Sequence, residues 1–246
     1  MTENLPRVPE THWLSGFLAV LQLADSAFPS GRYTLSYGLE TFAQTGRLTT
    51  PAEPSALASL LRDYLTLAVA PSEGVALACA HRATGASDGL NLDLVARADA
   101  RLTAVKLSKE ARDTSTRTGR ALLRVATTVF ANPAVTEYAG YVESGRTQGN
   151  HAVVLGVVSA SLGVSRVESV AGELFAFAAS WVAAAVRLAV TDHGTAQALL
   201  YDLHDDIADA AVAAIGKDVA DIASYTPLLD VLAMLHEQTE LRLFAS

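Results

Sequence analysis

The sequence predicts an all-α protein, a single domain of about ten helices with no significant β-sheet. Apolar residues recur at three- and four-residue steps along most of the chain, and no long run alternates apolar with polar. The periodic stretches are separated by helix-start and helix-stop signals, Ser, Thr, Asp or Asn before Pro or ahead of Glu, and Gly after the last apolar position. The 246 residues are half apolar, enough to bury a sizeable core. Residues 1–12 read as a flexible N-terminal segment, 13–238 as the domain, and 239–246 as a C-terminal docking tail.

Trp13, Leu14, Phe17, Leu18, Leu21 and Ala24 predict a first helix with one broad buried face. A dense corner follows, in which Pro29 fixes φ and Gly31 can take φ > 0. Ser36 is placed as an N-cap for a short second helix through Leu39 and Phe42 to Gly46, with Glu40 at its positive end. Gly38 inside that first turn predicts a close backbone approach. Thr50, Pro51 and Glu53 predict a capping box for a third helix reaching about Ala70, and Pro71 restarts the chain into a helix ending near Gly85. Residues 92–130 read as helix with a break near Leu107 or Ser108. Asn132 with Pro133 starts the next, Gly145–Asn150 is a turn, and a helix runs from His151 to Gly163. Ser165 and Glu168 cap the best helix of the chain, through Trp181 to Val190. Asp192–Thr195 is a break, Ala196–Ile215 a helix, and Thr226 with Pro227 caps a last one reaching Gln238.

A net charge of −8 argues against general affinity for nucleic acid or anionic membrane. The apolar runs 14–24 and 174–186 are short and bounded by charge, which predicts no membrane span, and the N-terminus lacks the features of a signal peptide. Cytoplasm is the expected compartment, with the lone Cys79 a buried small hydrophobe. Residues 101–124 carry seven basic and two acidic groups, repeating every three or four positions so that most lie on one face. Small residues four apart form stripes at Ala111, Ser115, Gly119, at Ala152, Gly156, Ala160 and at Gly172, Ala176, Ser180, Ala184. Such stripes allow helices to approach closely, within the chain or in a dimer.

Catalytic constellations are not found: there is no zincin His pair, phosphate loop or nucleophile elbow. The densest ligand-like group is Asp202, His204, Asp205, Asp206 and Asp209, on a face that could weakly hold a cation. It supports a rival reading as a helical metal-binding or hydrolytic enzyme, with the ligand-binding half of a helical regulator as a third. His151 stands at a helix start, either as a hydrogen-bonded core histidine or as a polar point at a tunnel or interface. The tail residues Leu241, Leu243 and Phe244 are costly to leave in water and ask for a groove.

The stretches LQLADSAFPSGRYTLSYGLE (21–40), SKEARDTSTRTGRALL (108–123), HAVVLGVVSASLG (151–163), WVAAAVRL (181–188) and ELRLFAS (240–246) together resemble the urease accessory protein F family across essentially the whole chain. Two departures stand out: Ala245 where a basic residue is expected, and Arg32–Tyr33–Thr34–Leu35 ahead of Ser36. The resemblance implies a non-enzymatic all-α homodimer that binds urease accessory protein D (also called H) and recruits the GTPase accessory protein G. Nickel is then delivered to apo-urease. The chain would have no cofactor of its own, nickel being relayed in the complex and GTP bound by the GTPase. The partner-binding or dimer residues it implies are Asp25, Pro29, Gly31, Ser36, Gly38, Glu40, Glu110, Arg112, Ser115, Gly119, His151, Gly156, Arg242, Leu243 and Phe244.

Overall fold

The computed structural model describes residues 12–32, 35–85 and 89–236. Twelve α-helices are found there and no strand: α1 (His12–Ala24), α2 (Leu39–Gln44), α3 (Pro54–Tyr64), α4 (Val75–Thr84), α5 (Leu92–Val105), α6 (Lys109–Val129), α7 (Pro133–Glu143), α8 (His151–Ser161), α9 (Arg166–Arg187), α10 (His193–Asp202), α11 (His204–Ile215) and α12 (Pro227–His236). Side-chain caps hold five of them, α5, α6, α7, α9 and α10. Ser108 Oγ accepts from the Ala111 N–H, Asn132 Oδ1 from Ala134, and Ser165 with Glu168 forms a reciprocal box.

The core is built on α4 and α8, both buried along nearly their full length. They cross where α8 carries Gly156, whose absent Cβ would lie 2.5 Å from the Leu77 carbonyl oxygen. No larger residue fits that crossing. α6 covers the other side of α8, α5 and α11 flank α4, and α9 spans the assembly, contributing Trp181 and Phe177 to the centre. At 22 residues α9 is the one described helix long and apolar enough to cross a membrane, and most of its surface is occupied by these core contacts.

Several expectations are corrected. α1 buries Gly16 and partly Val20 and Leu23, seating Val20 against Gly172, while Trp13, Leu14, Phe17, Leu18 and Leu21 point outward. The apolar face is thus the outer face, because a helix lacking any charged residue in positions 12–24 gives periodicity no contrast to read. Thr50–Glu53 is not a capping box: the segment is extended, Ala52 N–H donates to the Val190 carbonyl, and α3 begins at Pro54. The helix predicted over 196–215 is divided at Leu203 into α10 and α11.

Pro71 does not restart the chain. It sits inside a π-helical segment, Leu65–Gly74, that joins α3 to α4 without interruption. Proline has no N–H to offer the carbonyl four residues back, so the Leu67 carbonyl is released. The Tyr225 N–H takes it at 2.9 Å, and the Ala223 N–H takes the Pro71 carbonyl at 3.1 Å. These two bonds fasten the irregular stretch before α12 to the body, and bring α12 over the cavity described next.

Candidate functional site

A cavity of about 170 Å³ opens between the corner, the π-helical segment, the start of α6, the N-terminus of α8, α9 and α12. Its floor is polar and buried. Arg32 reaches in from the corner, 2.6 Å from Glu173 of α9 and 3.1 Å from His151 Nε2 at the start of α8, with the Tyr37 hydroxyl as a further acceptor. Lys106, on the α5–α6 linker, pairs with Glu73 of the π-helical segment, and the Ser72 hydroxyl donates to the same carboxylate. Tyr37 and Tyr64 both pack edge-on against Phe177, at 4.9 and 5.2 Å between ring centroids, and wall the upper part.

The electrostatics follow from burial set against pairing. Burial pushes the Glu73 carboxyl up, but the Lys106 ammonium and the Ser72 hydroxyl outweigh it and hold the group below its usual range. For Glu173 burial prevails: its carboxyl is raised although Arg32 pulls it down. His151 is held well below the ordinary imidazole value by burial, then by Arg32, and by Lys106, with the Thr118 carbonyl opposing. A guanidinium only donates, so His151 accepts through Nε2 and carries its proton on Nδ1.

His151 is placed by a second buried device. The Asp99 carboxylate, 1% exposed on α5, accepts from the backbone N–H groups of Gln148, Gly149 and Asn150, from the Asn150 side-chain amide and from the Thr147 hydroxyl. The turn so gathered leads directly into α8. Gly119 of α6 lies against it, since a Cβ there would stand 2.1 Å from the Gly149 carbonyl oxygen. Arg112 holds the linker that carries Lys106 by donating to the carbonyls of Lys106 and Leu107 at 2.6 and 2.7 Å.

Comparison with known proteins shows the family to which the chain belongs. The family model described as UreF matches residues 52–204, more than half of the chain. The chain is 34% identical over 230 residues to the urease accessory protein UreF of Arthrobacter sp. (strain FB24), covering 93% of this chain and 96% of that one. It is 31% identical over 236 residues to the protein of the same name from Yersinia pseudotuberculosis serotype IB (strain PB1/+), covering 94% and 99%. The chain belongs to the UreF family.

In this UreF-family chain the structure gathers some of the sequence-selected residues and disperses others. Gly38, Glu110, Ser115 and His151 line the cavity. Asp25 instead caps the exposed Ala27 N–H at 2.7 Å, Pro29 and Gly31 lie on the exposed rim of the corner, and Ser36 and Glu40 are buried behind it, Glu40 accepting from Gln44. Gly119 and Gly156 make their close approaches within the chain. Arg242, Leu243 and Phe244, with the tail 239–246, lie outside the described residues.

The corner is also corrected in detail. Ser36 is not the N-cap: its hydroxyl is buried with no hydrogen-bond partner among the described residues, and Gly38 occupies the N-cap position with no side-chain cap. Among the described residues no neighbour lies within 4 Å of where a Gly38 Cβ would stand, so within the chain glycine is there for its φ of +81° and not for a close approach. Gly38→Ala should therefore cost about 1–2 kcal/mol in urea unfolding, the penalty for a side chain in the left-handed region. A loss near zero would show that the corner relaxes.

The acidic group loses its standing as a metal centre. Asp206 is committed to Arg62 at 2.8 Å, the His204 ring packs against Tyr201 and Phe175, and no three His, Cys, Asp or Glu side chains converge to hold a metal among the described residues. The basic face is likewise partly spent inside the fold, since Lys106 is buried in its ion pair and Arg120 donates to the Gln148 carbonyl.

Sequence reading passed over Arg32, Glu73, Asp99 and Glu173. The available signal was a charge at an apolar position, Asp99 beside Ala98 and Leu102 on the buried face of α5 and Glu173 beside Leu174 in α9.

His151 also predicts a pH dependence. Its folded pKa lies below its unfolded one, so as pH falls through about 6.5 the unfolded chain takes up the proton first, and stability is lost. His81, whose ring bonds the Val164 carbonyl at 2.8 Å and whose pKa burial also lowers, acts in the same direction. Each contributes up to about 1.4 kcal/mol per pH unit between the imidazole and carboxylate ranges. In denaturant titrations over that interval, His151→Gln should flatten the slope; an unchanged slope would mean that His151 is protonated in the fold.

Proposed function

We propose that this protein is a scaffold in urease maturation, a homodimer that binds urease accessory protein D/H and recruits the GTPase accessory protein G, so that nickel reaches apo-urease. The observation that carries the reading is its likeness, over more than nine-tenths of its length, to proteins whose names state that they are urease accessory proteins. The exposed apolar face of α1 and the outward Leu228, Val231 and Met234 of α12 offer surfaces for such partners. The polar floor of the cavity supplies carboxylate and imidazole groups suited to handling a divalent cation in passage. On this reading the chain organises the GTPase and relays nickel in the cytoplasm, with GTP chemistry left to the partner.

Reconstitution of urease activation from purified components, with and without this chain, tests the reading. Nickel incorporated and GTP consumed should both depend on its presence, and the chain should co-purify with the D/H and G proteins. Full activation without it, or no complex with those proteins, would end the proposal.

A further inference from the structure

A scaffold does not require the way Arg32, His151 and Glu173 meet. Arg32 Nη1 lies 2.6 Å from Glu173 Oε2 and 3.1 Å from His151 Nε2, and those two acceptors are themselves 3.8 Å apart. Because the guanidinium has no acceptor, both atoms turn lone pairs toward it. One imidazole nitrogen and one carboxylate oxygen converging on a single point are the donor types that first-row divalent cations of borderline softness take. A protein cation now stands at that point.

The cation belongs to the corner and not to an α-helix: Arg32 stands in a 3₁₀ turn. In the described part of the corner the backbone hydrogen bonds are local, from Phe28 to Asp25, Ser30 to Phe28, Leu35 to Arg32 and Leu39 to Ser36. Withdrawing the Arg32 side chain therefore breaks no α-helical ladder, whereas His151 and Glu173 are fixed on α8 and α9. It would leave a buried carboxylate without its counter-charge, an unfavourable state unless a proton or another cation replaces the guanidinium. The site adjoins the cavity, which also carries the Asp230 carboxyl of α12 on its wall.

We propose that Arg32 is a built-in stopper, occupying a two-ligand site of His151 Nε2 and Glu173 Oε2 that receives a borderline divalent cation only when the corner draws Arg32 away. The inference rests on the nickel-handling reading above. Two protein ligands with water completing the shell hold a cation only briefly, which suits cargo rather than a resident metal.

The test is titration of the metal-free full chain with Co2+, followed by calorimetry and by visible absorption of the bound ion, with Mg2+ as the control. Arg32→Met should gain one Co2+ site at least tenfold tighter than any in the parent, with no gain for Mg2+, and Arg32→Met/His151→Leu should lose it. If Arg32→Met does not fold unaided, a rise in its unfolding temperature with Co2+ and not with Mg2+ is the same result. No gained site, or one that persists without His151, overturns the stopper. A variant that gains no site, in a chain still needed for urease reconstitution, sinks the stopper and leaves the scaffold standing. A chain that reconstitution does not need removes the scaffold whatever the titration shows.

Discussion

Asp99→Ala is expected to destabilise the fold by about 3–5 kcal/mol, because one buried carboxylate gathers five hydrogen bonds. Three of the donors are backbone N–H groups in the turn ahead of α8, and Gly149 and Asn150 are buried. With the acceptor gone, the buried N–H groups of Gly149 and Asn150 lose their partner, at about 1–3 kcal/mol apiece, while the Asn150 side-chain amide keeps the Thr103 hydroxyl at 2.8 Å. Asp99→Asn keeps one carbonyl oxygen but turns an amide donor toward groups that are themselves donors. It should recover no more than about half of the loss. Urea unfolding with an unchanged m-value would measure both, and a loss under about 1 kcal/mol for Asp99→Ala would show that the turn does not depend on this carboxylate. Gly119→Ala strikes the same turn from α6, forcing a Cβ into the Gly149 carbonyl. The combined variant should lose less than the sum of the singles, since a turn already released can move out of the way of the methyl group.

The same turn shows what the amino-acid order could and could not reveal. Helix existence was legible wherever a cap and a contrast of polarity coincided, as at Asn132–Pro133 and at Ser165 with Glu168. It failed where a local rule met a tertiary contact. Pro71 reads as a helix breaker, yet the π-helical segment absorbs it because Tyr225 and Ala223, 150 or more positions away, take the released Leu67 carbonyl and the Pro71 carbonyl. Gly38 reads as a close approach, and only the backbone angles show that its φ is the reason. Of the site, His151 was legible as a polar residue opening an apolar helix. Its partners were not, since Arg32 and Glu173 lie 141 positions apart and no spacing rule connects them. The small-residue stripes were real, and the contacts they make at Gly119, Gly156 and Gly172 are all within this chain.

Breaking the Arg32–Glu173 pair should cost about 3–5 kcal/mol for either partner alone and much less than the sum for both together. The Glu173 side chain is 4% exposed and that of Arg32 13%, so each single variant abandons a charge that water reaches poorly. The two losses differ in their dependence on pH. Burial pushes the Glu173 carboxyl up and Arg32 pulls it back, so Arg32→Met leaves burial opposed only by the lesser pull of Lys106 and raises the folded pKa further. A carboxyl whose folded pKa exceeds its unfolded one lends stability that is complete below the unfolded value and is lost as pH rises through the folded value. The defect of Arg32→Met should therefore shrink as pH falls from neutrality toward the ordinary carboxylate range, because protonation neutralises the abandoned group. Glu173→Gln leaves a guanidinium that no accessible pH discharges, and its defect should not shrink in that way. In Arg32→Met/Glu173→Gln no charge is left at the site, and the pH dependence special to Arg32→Met should vanish. Equal pH profiles for the two single variants, or additive losses in the double, would mean that the pair is solvated and that the corner is held to α8 and α9 by something other than this buried charge.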